Sequence, residues 1–101
     1  MILHTINKSS QANKLFIQCC SVLEDGDKVI LLGDAVELAK KDTDLFETLV
    51  SNSKLNIEFY VLQDHVNARK LTHSLHDEIT VINYAVFVEL AANSGTCQSW
   101  Y

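Results

Sequence analysis

Apolar residues in this chain switch repeatedly between two spacings, and that alternation decides the fold class. Met1–Ile6 is a short, largely apolar run, closed by Asn7-Lys8-Ser9-Ser10, a turn ending in two helix N-cap residues. Ala12, Leu15, Phe16, Cys19, Cys20 and Leu23 then share one stripe of an amphipathic helix. Glu24-Asp25-Gly26-Asp27 stops it. Lys28–Leu32 is a continuous apolar run again, the pattern of a strand covered on both faces in a parallel sheet.

The same switch recurs along the chain. Gly33-Asp34 turns into a helix predicted from about Ala35 to Lys41, and a second helical stretch carries Phe46, Leu49 and Val50 with Asp44 as its cap. Leu55–Leu62 reads as the third strand, with Leu55, Ile57, Phe59 and Val61 on one face. A short helix is predicted from Asp64 to about Lys70, then a polar connection with His73 and His76, then a fourth strand over Ile79–Asn83. Tyr84, Phe87, Val88 and Ala91 mark the expected buried face of the last helix, and Gly95 is its C-terminal stop. Cys97–Tyr101 reads as a short tail. Strands joined through helices by short connections require right-handed crossovers, so the expected architecture is an α/β sandwich with a mostly parallel sheet.

Size and charge narrow the function. A chain of 101 residues, 48% hydrophobic and 21% charged, is expected to form one domain over 1–101 with a core of its own. No apolar run approaches the ~20 residues of a membrane span. Met1-Ile2-Leu3 lacks the basic start of a secretory signal, so a cytoplasmic location is expected. The net charge is -5, and only Lys40-Lys41 and Arg69-Lys70 place basic residues side by side. Direct nucleic-acid binding needs a basic face and is not expected. Three cysteines, two of them the neighbours Cys19 and Cys20, do not form a disulfide framework.

In parallel sheets, sites form at the carboxyl ends of strands. Here these are Asn7–Ser10, Gly33-Asp34, Gln63-Asp64 and Asn83-Tyr84. No glycine-rich phosphate loop occurs among them, which tells against a nucleotide, and the end of the first strand lacks the acidic cluster of a phosphoacceptor domain. His73-x-x-His76, with His65 or Cys97, supplies one ligand pair where structural zinc usually shows two. No metal and no cofactor are expected. His4, in a strand, reads as a satisfied core or rim histidine. Cys19 and Cys20 lie on an apolar stripe, too far into the helix to gain from its N-terminal dipole. On the residues alone they fill core, while Cys97 has no nearby base.

Six segments occur in order along nearly the whole chain: Ile2-Leu3-His4-Thr5-Ile6-Asn7-Lys8-Ser9; Gly26-Asp27; Leu32-Gly33-Asp34-Ala35-Val36; Phe59-Tyr60-Val61-Leu62 with Asp64, Ala68 and Arg69; Ile82-Asn83-Tyr84 with Phe87-Val88 and Leu90; and Gln98-Ser99-Trp100. Together they resemble the sulfur-relay subunit family called TusB or DsrH. Among the departures, Lys70 stands where the family usually has glycine. The resemblance implies a DsrE-like three-layer α/β/α sandwich of four to five strands, whose C-terminal segment returns to the sheet as a short strand near the first. It also implies a cytoplasmic subunit that assembles with TusC-like and TusD-like partners into a heterohexamer. That complex takes persulfide sulfur from TusA and passes it through TusE towards 2-thiolation of the tRNA wobble uridine. The chain's own part would be structural and docking, accessory rather than catalytic, without touching tRNA or membrane. The main sulfur-carrying cysteine belongs to the TusD/DsrE subunit. The alternative is a DsrH-type carrier in dissimilatory sulfur oxidation. There Cys19, which falls in register with a first-helix cysteine of some members, would accept the persulfide. Trp100 and Tyr101 are the expected interface anchors.

Overall fold

Five parallel strands form one sheet in the order β4-β3-β2-β1-β5. The structure, a computed structural model, describes residues 2–7, 12–41 and 55–100. Along the chain these form β1 (Ile2–Ile6), α1 (Ala12–Ser21), β2 (Lys28–Leu31), a 3-10 helix (Gly33–Ala39), β3 (Glu58–Leu62), α2 (Gln63–Ala68), β4 (Ile79–Ile82), α3 (Tyr84–Asn93) and β5 (Thr96–Trp100). Phe46, Leu49, Val50 and their expected cap Asp44 lie outside the described residues.

The pleat sends alternate side chains to opposite faces. Ile6, Val29, Leu31, Phe59 and Val61 face a core closed by Leu15, Phe16 and Cys19 of α1, by the 3-10 helix, and by Val66 of α2. Leu3, Ile30, Tyr60, Leu62 and Ile82 face the other way, against Phe87, Leu90 and Ala91 of α3. The result is the three-layer α/β/α arrangement, all parallel. Because β4 and β5 lie at opposite edges, α3 crosses the second face, the only helix to do so among the described residues. Among the described residues no helix is long and apolar enough to cross a membrane.

Four elements differ from the pattern-based expectation. Thr96–Trp100 is a strand, paired with Ile2–Ile6 in register, as the family resemblance implies and as its polar sequence does not reveal. The segment after Gly33 is a 3-10 helix. Its three-residue repeat stacks Ala35 over Leu38 and Val36 over Ala39, which buries all four from a seven-residue element. β3 begins at Glu58, leaving Leu55 41% exposed before it. The fourth is α3, where Tyr84 and Val88 point to water, at 66% and 48% exposure, instead of joining Phe87 and Ala91 on the sheet. Phe87, Leu90 and Ala91 form a seam at i, i+3, i+4, and Tyr84 and Val88 lie on the neighbouring ridge.

Lys70 ends α2 with φ of 58°, the left-handed conformation that usually falls to glycine. The amides of Lys70 and Leu71 close on the carbonyls of Asn67 and Val66 at 3.1 and 3.0 Å.

Candidate functional site

The most constrained side chains lie where β1 meets its two neighbours. Asp27, directly before β2, is 2% exposed. Its Oδ1 accepts from the Ile2 amide at 2.9 Å, and its Oδ2 from the Glu24 amide at 3.0 Å. The Nε2 of His4, also 2% exposed, lies 3.2 Å from the same Oδ2. On the other side of the imidazole, the indole Nε1–H of Trp100 donates to Nδ1 at 3.1 Å. An indole nitrogen only donates, so Nδ1 must carry its lone pair and Nε2 the proton that faces Asp27. His4 is therefore neutral and held in one tautomer. Burial pushes the Asp27 carboxyl up, but the Glu24 and Ile2 amides and His4 outweigh it, leaving the group below its ordinary value.

Cys19 packs beside this network, fully buried among Phe16, Val29 and Leu31. Burial first, then Cys20 and then the Asp27 charge push its thiol up to about 12. Such a sulfur is protonated at neutral pH and has no route to solvent in this conformation. Burial likewise raises half-buried Cys20 to about 11. Cys97, exposed on β5, lies with its sulfur 3.9 Å from the Ala91 carbonyl. Trp100 is half-buried and turned inward onto the core, its one donor engaged by His4. Tyr101 lies outside the described residues.

The carboxyl ends of β2 and β3 are tied together by α2. Gly33 has φ of 52°, so a side chain here is strained by the backbone conformation, although the Asn7 carbonyl oxygen, 3.4 Å from where a β-carbon would be, leaves room for it. The Gly33 amide donates to His65 Nδ1 at 2.8 Å, and its carbonyl accepts from Arg69 Nε at 3.2 Å. The Arg69 guanidinium also pairs with Asp34. Asn83 caps α3, its Oδ1 accepting from the Val86 amide at 2.9 Å. The polar groups at these strand ends thus bind one another, while Lys8–Ser10 lie outside the described residues. His73 and His76 are not gathered with a third ligand, and among the described residues no cluster suited to a metal ion forms.

The outward ridge of α3 is the remaining feature. Tyr84, Ala85, Val88 and Ala92 are exposed along it, with Glu89 as the one charged side chain of the helix. Tyr84 leans on Phe87 edge to face, with ring centroids 6.0 Å apart.

The family profile described as DsrH like protein matches residues 8–96. The chain belongs to the DsrH family. Among relatives of this DsrH-family chain, the protein TusB of Klebsiella pneumoniae is 35% identical over 79 residues, covering 78% of this chain and 80% of that one. The protein TusB of Escherichia coli is 29% identical over 99 residues, 98% of this chain and all of the relative. Two solved structures share the fold: the ychN protein from E. coli, with a TM-score of 0.72, 15% identity and 97% of each chain covered, and a protein of unknown function from Methanobacterium thermoautotrophicum, with a TM-score of 0.71, 12% identity and 97% and 96% covered. The DsrH-family fold here is the DsrE-like one.

The His4–Asp27–Trp100 network is what sequence reasoning missed. His4 was legible as a satisfied strand histidine and Asp27 as part of a helix stop and of a family segment, but their joining was not, since the third member lies 96 positions away from His4.

Proposed function

We propose that this DsrH-family chain is a cytoplasmic sulfur-relay subunit serving 2-thiolation of the tRNA wobble uridine. It acts as a docking and structural member of a complex with TusC-like and TusD-like subunits, in a heterohexamer. Persulfide sulfur passes through that complex from TusA towards TusE. The observation that carries this reading is the apolar ridge of α3, Tyr84 and Val88 foremost, presented to water by a helix with a single charge. Such a ridge gains from cover by a partner. Trp100 and Tyr101, the anchors expected from the sequence, add contact to the same partners.

Contact with tRNA is left to other subunits, because the chain carries a net charge of -5 and two of its described cations, Lys28 and Arg69, are paired with Glu58 and Asp34. Cys19 serves as a core residue in this reading. The carrier role would need a thiolate with access, and the burial that raises this thiol to about 12 opposes both.

Affinity purification of the tagged chain from its native host is expected to bring down TusC-like and TusD-like subunits, and deletion of the chain to lower 2-thiouridine in tRNA. Recovery of the chain alone, with thiolation unchanged on deletion, would remove this reading. A separate measurement concerns the thiol. Cys19→Ala, which removes the sulfur without burying a hydroxyl, is expected to support wild-type thiolation at a stability cost of about 1 kcal/mol. Incubated with a persulfide donor, the assembled wild-type complex should show no added sulfur on Cys19 by intact mass. A sulfur adduct lost in Cys19→Ala, together with lost thiolation, would make Cys19 the carrier.

A further inference from the structure

The C-terminal strand is an edge strand held from one side. Thr96–Ser99 are exposed, and beyond the β1 ladder β5 has few ties: Thr5 Oγ1 to Ser99 Oγ at 3.3 Å, Cys97 to the Ala91 carbonyl, and Trp100. Trp100 is the one β5 side chain that packs into the core, and its fixed point is His4 Nδ1. That contact exists only while Nδ1 is unprotonated. A proton there would set an imidazolium N–H against an indole N–H, two donors with no acceptor between them.

We infer that His4 and Trp100 form a pH-sensitive latch on the C-terminal strand, closed while His4 is neutral and released when its Nδ1 takes a proton. On release the indole leaves the core and the end of β5 loosens, while the imidazolium keeps Asp27 as its partner through Nε2. Among the described residues few titratable groups face His4 from the elements packed about it. Asp27 stands before β2, and Cys19 and Cys20 lie on α1; Lys28 and Cys97 pair with Leu3 and share its opposite face, and Gln98 and Trp100 of β5 do not titrate. Of these groups only Asp27 sets a charge beside the imidazole over the interval tested below, roughly pH 5 to 8. Cys19 and Cys20 stay neutral throughout that range.

Trp100 is the chain's only tryptophan, so its fluorescence reads the latch directly. In the full wild-type chain, lowering the pH from 8 to 5 is expected to shift the emission to the red and to increase quenching by acrylamide. His4→Gln, checked for its fold by circular dichroism, should show neither change over the same range. If that variant does not fold, nitrogen-15 spectra of the wild-type imidazole and indole replace it. They should report the Nε2–H tautomer of His4 at pH 8, and a shift of the Trp100 indole N–H with the same midpoint as His4. Flat emission in the wild type, a red shift that survives in His4→Gln, an Nδ1–H tautomer at pH 8, or separate midpoints would each overturn the latch.

Discussion

Asp27→Ala is expected to lower the stability of the chain by about 3 kcal/mol, read as a fall of roughly 15 °C in melting temperature. The cause is not the loss of one hydrogen bond. The Ile2 amide, the Glu24 amide and His4 Nε2 all converge on this one carboxylate, and all three donors would be left without it. Asp27→Asn keeps one acceptor oxygen but turns an amide N–H₂ towards a donor, so a loss of about half that size is expected. The charge also sets an acid dependence. Because the folded-state value of Asp27 is lowered, its contribution is fully present above the ordinary carboxylate range and disappears as pH falls through the lowered value. Melts of wild type and Asp27→Asn between pH 3 and 7 should therefore converge at the acid end. A melting temperature for Asp27→Ala within a few degrees of wild type would show that the three donors find other partners.

The strand–helix alternation was legible because the first four strands carried largely apolar runs and α1 a clean stripe, and there the expectations hold at Leu15, Phe16, Cys19, Val29 and Val61. β5 was not, because Thr96-Cys97-Gln98-Ser99 is an exposed edge whose pairing depends on backbone groups rather than on apolar side chains. Only the resemblance to a family placed it in the sheet. In α3 nearly every side chain is apolar, so periodicity could not choose between the seam at Phe87, Leu90 and Ala91 and the ridge at Tyr84 and Val88. The misassigned pair is informative for that reason. Of the apolar side chains of α3, Phe87, Leu90 and Ala91 pack on the sheet and Tyr84 and Val88 are left facing water. The His4–Asp27–Trp100 network shows the opposite limit. Each residue is ordinary in its local sequence, and the chemistry exists only because β1 collects Asp27 from one neighbour and Trp100 from the other.

Val88→Asp separates partner cover from the stability of the chain itself. Val88 is 48% exposed and stands outside the seam that packs α3 on the sheet. In the isolated chain the substitution is expected to cost no more than about 0.5–1 kcal/mol, much of it helix propensity. Phe87→Ala, one position away but within the seam, should cost about 2–3 kcal/mol in the same melt. Against partner subunits the order reverses. A carboxylate buried in an apolar contact without a counter-charge is expected to weaken association by about 3 kcal/mol or more, over a hundredfold. Val88→Asp should thus melt within a few degrees of wild type, yet fail to bring down TusC-like and TusD-like subunits, and 2-thiouridine should fall with it. If the variant assembles as wild type does, α3 is not the docking ridge, and its exposed valines need another explanation.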